Sequence, residues 1–315
     1  MKVVISEDLW SEIPVWFREK YEVVYEPDLF TQPTVLAKQL NNAEALIVRN
    51  RTQVTHELLR TSPSLQVVGR LGVGLDNIDL SACHDKNVSV ITARGFNAIA
   101  VAEYVFAAML WKSRFLHVCD AHMKSGKWDR MAGTGWNLYG KTLGLIGMGD
   151  IGHRVAIRAK AFGMNVIAYD PAVLVSNVVV QDLGVQLISL TDLLGLSDFI
   201  SIHVPLLPNT RKMIGARELA MMKSDVMIIN TSRGGIVDES ELYHCLLDCP
   251  SKTAVLDVRE SEPPTDGDVL LGLSNVLLTP HVAGVTHESS EHIAAFVLEN
   301  VNRILQGKNA QGIVE

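Results

Sequence analysis

The segment Thr142-Leu-Gly-Leu-Ile-Gly147-Met-Gly149-Asp-Ile-Gly152 runs an apolar stretch directly into the spacing Gly-x-Gly-x-x-Gly. Such a loop does its chemistry with the backbone. Gly147 permits a tight turn, Gly149 lets a pyrophosphate approach the main chain, and Gly152 lets the following helix pack close, its N–H groups and positive dipole end aimed at an anion. Ile151, Val155, Ala159 and Phe162 supply that helix with one apolar face. Eighteen positions past Gly152 stands Asp170, at the end of the next apolar run. A carboxylate there accepts from adenosine ribose hydroxyls and repels a 2′-phosphate, and Pro171, Ala172 and Val173 offer no cation to receive one. A glycine triplet alone is an ordinary turn; the strand before it, the helix after it and the spaced acid together predict a dinucleotide loop that takes NAD. Three later segments put polar groups just after apolar runs: Asn230-Thr-Ser-Arg233-Gly-Gly, Leu256-Asp257-Val-Arg-Glu-Ser-Glu262-Pro-Pro and Thr279-Pro-His281-Val-Ala-Gly. In a doubly wound sheet, ligands sit beyond the carboxyl ends of the strands, so these are candidate site residues.

The elements that must position them alternate throughout. Short β-branched runs are separated by stretches of helical period, the pattern of βαβ units and parallel sheets. One set of strands is expected at Lys2–Ser6, Tyr21–Tyr25, Ala45–Val48, Gln66–Gly69 and Val88–Thr92. A second is expected at Thr142–Gly147, Asn165–Tyr169, Phe199–Val204, Val226–Asn230, Thr253–Val258 and Val276–Thr279, six strands for a dinucleotide-binding sheet. Ala98 to Leu116, with Val101, Val105, Ala108 and Trp111 at helical spacing, predicts a buried helix crossing between domains, and Thr286–Leu305 predicts the return crossing. The fold expected is therefore α/β with two Rossmann-like domains, each a doubly wound parallel sheet. Residues 1–96 and 285–315 form a discontinuous substrate domain, and 97–284 form the NAD-binding domain.

Composition narrows the partners. The 315 residues suit about two domains at roughly 100–200 residues each. A 48% hydrophobic and 20% charged content is ordinary for a folded chain. The formal charge of −7 and the lack of a basic stripe argue against nucleic acid. Cys83, Cys119, Cys245 and Cys249 fit neither a zinc-ligand pattern nor a disulfide framework and read as reduced thiols. His117 and His122, five apart, fall on different helix faces, so no metal site is expected. The N-terminus has no signal layout and no apolar run approaches the roughly 20 residues of a membrane span. A cytoplasmic location without membrane attachment is the expectation.

Together with the glycine loop, the three polar segments closely resemble the D-isomer-specific 2-hydroxyacid dehydrogenases. Gly69-Arg-Leu-Gly-Val-Gly-Leu-Asp-Asn-Ile-Asp79, Ala102-Glu103, His203-Val-Pro-Leu, Thr231-Ser-Arg-Gly-Gly and Pro280-His281 fall in that family's order and spacing, over nearly the whole chain. The resemblance implies hydride transfer between the nicotinamide of NAD and C2 of a small D-2-hydroxy or 2-keto acid, with His281, Glu262 and Arg233 as the catalytic set. A ketone that gains a hydride also needs a proton near neutral pH, which an imidazole supplies. The resemblance pairs His281 with Glu262, and a carboxylate beside it favours the imidazolium. Arg233 offers a planar, permanently charged fork that suits the substrate carboxylate. Cofactor contacts are implied at Gly147, Gly149, Asp150, Ile151, Gly152, Asp170, Val204, Thr231, Ser232, Asp257 and Gly284, with Asp257 on the nicotinamide carboxamide.

On the substrate side, Gly72-Val73-Gly74 would offer backbone N–H groups to a carboxylate. Arg49, Arg51 and Arg94, on loops after first-domain strands, would suit a second anionic group such as a phosphate or sulfonate. The stretches Gly69–Asp79 and Thr231–Val237 look most like D-3-phosphoglycerate dehydrogenases, while Arg94-Gly-Phe-Asn97 departs from their usual loop. Hydroxypyruvate or glyoxylate reduction and sulfolactate oxidation stay open on the same scaffold. The chain stops at Glu315 without room for a regulatory amino-acid-binding domain, so feedback by serine is not expected. A nucleotide-sensing binding protein, like the C-terminal-binding corepressors, is the alternative of a different class. The apolar region Val101–Leu116, continuing to Trp128, suits a two-fold contact and so a homodimer.

Overall fold

The computed structural model describes residues 1–174 and 176–314, without the side chains of Val178 and Val179. Strands β1 (Lys2–Ile5), β2 (Glu22–Tyr25), β3 (Ala45–Val48), β4 (Val67–Arg70) and β5 (Ser89–Thr92) alternate with helices α1 (Val15–Lys20), α2 (Pro33–Leu40), α3 (His56–Arg60) and α4 (Leu80–Asp85). Then follow α5 (Ala98–Arg114), α6 (Leu116–Lys124), β6 (Thr142–Ile146), α7 (Asp150–Ala161), β7 (Asn165–Tyr169), α8 (Val178–Leu183), β8 (Gln186–Leu187) and α9 (Leu190–Leu196). The chain closes with β9 (Phe199–Ile202), α10 (Ala216–Met221), β10 (Met227–Asn230), α11 (Glu239–Asp248), β11 (Thr253–Leu256), β12 (Val276–Leu278) and α12 (His287–Leu305). It divides into two compact units, Met1–Asn97 with the residues from Val285 on, and Ala98–Gly284.

In the first unit the strand order is β2-β1-β3-β4-β5, all parallel. That is the order of flavodoxin-like sheets. β1, β3 and β4 are buried at every position. Parallel strands covered on both faces read as near-continuous apolar runs, which is why Val3-Val4-Ile5 and Ala45-Leu-Ile-Val48 do not alternate. One face is covered by α12, whose Ile293, Val297, Val301 and Leu305 recur every fourth residue and are all buried. Burial of each such side chain contributes about 1.5–3 kcal/mol. The approach is close: a Cβ on Gly69 of β4 would lie 2.7 Å from Val297 and 3.0 Å from Val301. Thr286 caps the helix, its hydroxyl accepting from Ser289 N–H at 3.1 Å.

The second unit orders its strands β12-β11-β10-β9-β6-β7-β8, again all parallel. Both sheets are the α/β, Rossmann-like layers expected. Six strands are expected here, and the described residues form seven; β8, only two residues long, carries no periodicity by which to see it. α5 lies within this unit, with Ala102, Val105, Ala108 and Met109 in the core against α7 and β10. From β6 the chain builds outward through β7 and β8, then returns to the other side of β6 for β9. The loops after β6 and β9 therefore part in opposite directions, and a crevice opens between them. Among the described residues no helix is long and apolar enough to cross a membrane.

Candidate functional site

The glycine turn sits at that switch point. Gly147 has φ +100, and a Cβ there would lie 2.6 Å from the carbonyl oxygen of His203 and 3.0 Å from Val204, both just past β9. Gly152 packs the first turn of α7 onto the loop, since its Cβ would meet the Gly147 carbonyl oxygen at 2.3 Å. Gly149 differs, for a Cβ there meets nothing within 4 Å, so its face is open. It is also the N-cap of α7, and no side chain caps the helix, leaving the first N–H groups at Asp150 and Ile151 for an outside acceptor. Asp170, past the end of β7, accepts from Met148 N–H at 2.8 Å and from Ala172 N–H at 2.9 Å, so it braces the glycine turn as well as standing at its edge. After β10, the Thr231 hydroxyl is buried without a hydrogen-bond partner in the protein. Turn, open glycine, uncapped helix, edge acid and orphaned hydroxyl fit a dinucleotide.

His203 lies beneath this loop as a neutral ring. Burial pushes its pKa down to about 3, and its Nε2 meets the Ser201 hydroxyl at 2.9 Å.

The three polar segments gather at the other strand ends of the same sheet. His281, past β12, has φ 57, and its Nδ1 lies 2.8 Å from Glu262 Oε2. The two side chains are 38% and 33% exposed, enough for a ligand to reach them. Glu262 takes the Arg259 N–H on Oε1 at 3.0 Å. Desolvation pushes its carboxyl up, but the hydrogen bonds from His281 and Arg259 and the charges of His281 and Arg233 outweigh it and hold the group below the ordinary value. Arg233 follows β10; its Nη1 donates to the Ser232 carbonyl at 2.7 Å, and the Asn230 amide donates to the Arg233 carbonyl at 2.9 Å. Ser232 is tied to Asn230 Oδ1 through its N–H and hydroxyl. Gly284 is half-buried at the end of the His281 loop.

Asp257 is buried at the end of β11 and works on that loop. Its Oδ1 accepts from the Thr279 hydroxyl at 2.6 Å and Val282 N–H at 2.8 Å, and Oδ2 accepts from Ala283 N–H at 2.8 Å. The Thr279 hydroxyl also meets Tyr104 of α5 at 2.5 Å. Two of these three partners are backbone N–H groups, which any residue supplies, so the bracing leaves little mark on the residue types of the loop. Arg259, one charge within an acidic loop, carries no sequence signal of its ion pairs with Glu239 and Asp268.

In the first unit, Gly72 has φ +148 in a turn wrapped on Arg70, whose guanidinium donates to the Gly74 and Leu71 carbonyls. Val73 is half-buried, and Arg51 and Arg94 are exposed. Arg49 is turned inward over the Trp10 ring, 3.5 Å from its centroid, and donates to the carbonyls of Asp8 and Leu9. Burial, then the nearby Arg70, lowers its pKa to about 10.

Fold and glycine turn define a nucleotide-binding α/β protein, and comparison with known proteins sets the family. Residues 106–283 match the model of the D-isomer specific 2-hydroxyacid dehydrogenase, NAD binding domain. The chain belongs to that family, and its second unit carries the family's NAD-binding domain. It is 39% identical, over its full length, to a D-3-phosphoglycerate dehydrogenase of Methanocaldococcus jannaschii; this chain spans only 59% of that relative. It is 41% identical over 303 residues to an (S)-sulfolactate dehydrogenase of Chromohalobacter salexigens, covering 96% of this chain and 98% of the other. The fold superposes with TM-score 0.86 and 30% identity on a D-lactate dehydrogenase from Aquifex aeolicus, solved with NAD and lactic acid, covering 97% and 96% of the two chains.

Proposed function

We propose that the protein is an NAD-dependent dehydrogenase of D-2-hydroxy acids, with His281, Glu262 and Arg233 as its catalytic set. The observation that carries this is the 2.8 Å contact of His281 Nδ1 with Glu262 Oε2, at the strand ends of the sheet that also bears the glycine turn. When bound, the nicotinamide donates or accepts the hydride. The chain's own residues handle the proton. With Nδ1 engaged by Glu262, Nε2 is the ring atom that gives a proton to the ketone oxygen in reduction and takes one from the hydroxyl in oxidation. Glu262, held ionised, orients the ring and offsets its positive charge. Arg233 clamps the substrate carboxylate and polarises the neighbouring carbonyl.

For the cofactor, Gly147, Gly149, Asp150, Ile151 and Gly152 would hold the pyrophosphate, Asp170 the ribose, and Val204, Thr231, Ser232, Asp257 and Gly284 the nicotinamide half. The substrate carries a second anion, as 3-phosphoglycerate does. The likeness to phosphoglycerate and sulfolactate dehydrogenases supports this. Residues 1–97 with those from 285 on serve as the substrate domain, through the Gly72-Val73 turn and the exposed Arg94. Arg49 belongs to this substrate set as well, with its Nε and Nη2 holding the Asp8 and Leu9 carbonyls. The protein works in the cytoplasm as a homodimer. Exposed apolar side chains at Leu116, Trp128, Met131, Trp136 and Tyr139 support a shared face of that kind.

The test is NADH oxidation with a panel of 2-keto acids bearing phosphate, sulfonate or no second anion, and the reverse reaction with NAD and NADP. Turnover with the anionic members is expected, and His281→Gln should lower kcat/KM roughly 10²–10⁴-fold while NADH still binds. Nucleotide binding without turnover of any member would replace this reading with a nucleotide sensor. Light scattering of Trp128→Glu protein checks the dimer.

A further inference from the structure

Beside the candidate site lies a buried ionic cluster that the proposed chemistry does not use. The Arg259 side chain is 7% exposed, and its Nη2 meets Glu239 Oε2 at 2.8 Å and Asp268 Oδ2 at 2.6 Å. Nε also reaches Glu239 Oε2, at 3.1 Å. The two carboxylates are anchored in turn. Glu239, the first residue of α11, takes the Glu260 N–H on its other oxygen at 2.7 Å, and Asp268 takes the Leu270 N–H at 3.0 Å. A carboxylate in the first turn of a helix is itself favoured by the dipole.

The backbone of Arg259 faces the site. Its N–H donates to Glu262 Oε1 at 3.0 Å, while Glu262 Oε2 holds His281. Its carbonyl abuts Gly234, where a Cβ would lie 1.8 Å away, so it also limits where the residue after Arg233 can sit. One residue thus touches Glu262, the partner of His281, and borders the chain directly after Arg233.

We propose that Arg259 is a positioning residue: its clamp between Glu239 and Asp268 fixes the backbone that orients Glu262 toward His281. This rests on the catalytic reading of His281 and Glu262 given above. Stability alone is a poor reason for such a cluster, because a buried ion pair is often matched or exceeded by well-packed apolar side chains. What apolar packing does not give is a directional fork with one geometry. Here that geometry is passed through a single peptide unit to a carboxylate oxygen. The charged groups facing Glu262 are His281 and Arg233. Glu260, Glu239 and Asp268 belong to the clamp on the far side of the Arg259 peptide. When the clamp is cut, Glu262 loses the Arg259 N–H and its grip on the ring, so it ionises less readily.

The test compares Arg259→Met, Arg259→Lys and Glu239→Gln with wild type in 2-keto acid reduction. Initial rates are followed as pH falls through the carboxylate range, with NADH binding measured by fluorescence. Arg259→Met and Glu239→Gln are expected to lose roughly 10–100-fold in kcat, as a small misplacement of a reacting group does. The acid limb of their profiles should move to higher pH with NADH affinity unchanged, and Arg259→Lys should fall between. A merely structural role would lower the melting temperature without moving that limb. If Arg259→Met does not fold, Glu239→Gln, which leaves the fork in place beside Asp268, decides alone. Folded variants with the wild-type kcat and acid limb would overturn the positioning role. Glu262→Gln and His281→Gln, assayed in parallel, separate the two levels: if they also turn over normally, the catalytic reading itself has failed, and the proposal with it.

Discussion

The backbone N–H of His281 donates to the Asp257 carbonyl oxygen at 2.8 Å, so the candidate proton carrier hangs from the end of the neighbouring strand β11. The Asp257 carboxylate binds the same loop on both sides of the histidine, through Thr279 before it and Val282 and Ala283 after it. The left-handed backbone at His281 is held by these bonds. Asp257→Ala leaves the buried Ala283 N–H unanswered, at about 1–3 kcal/mol. Denaturant unfolding should show a loss of that order, and kcat should fall with it even though Asp257 does not touch the imidazole.

The Glu262 carboxyl lies below its ordinary value of 4.5, and the sign of its effect on stability follows. A depressed folded-state pKa means that folding favours the ionised form, so the stabilisation is complete above the unfolded value and disappears as pH falls through the folded one. The unfolding free energy of wild type relative to Glu262→Gln should shrink as pH falls through the acid range. A difference that grows on acidification would mean that burial, not His281, controls the group.

Two glycines of one turn should fail differently. Gly147→Ala combines a φ of +100 with a Cβ 2.6 Å from the His203 carbonyl, and should cost stability by about 1–3 kcal/mol as well as nucleotide affinity. Gly149→Ala meets no atom of the protein, so its melting temperature should stay near wild type while NADH affinity drops. Differential scanning fluorimetry with and without NADH separates the two.

Asp170→Ala removes both a repulsive charge and a brace for Met148. NAD affinity should fall and the preference for NAD over NADP should narrow. Asp170→Asn, which retains an acceptor for the Met148 N–H, should keep more of the NAD affinity. Binding titrations with both nucleotides read this directly.

What could be read from the sequence follows from what each feature demands of residue type. The glycine turn was legible because Gly147 needs a positive φ and Gly152 has a carbonyl 2.3 Å from where a Cβ would be; only one residue answers such demands. The strands of both sheets were legible as apolar runs, apart from β8, too short to show a pattern. Glu262 and His281 are joined by folding across intervening residues, and only the family resemblance paired them in advance. Arg49 lies on a loop where an anion-binding arginine was expected, but two of its nitrogens face the Asp8 and Leu9 carbonyls, partners invisible in a list of side chains. Arg259 reads as one more solvated charge among Glu260 and Glu262 until the fold brings Glu239 and Asp268 to it.

The helix α12 completes a sheet whose strands were all laid down before residue 97. On a ribosome the first unit emerges with the apolar face of β4 uncovered and waits for Val297 and Val301, while the second unit, uninterrupted in the chain, has all its strands in hand. Biogenesis should therefore run inside out, the inserted unit maturing first and the flanking unit sealing last, and a nascent chain stalled before α12 should be protease-resistant only between Ala98 and Gly284.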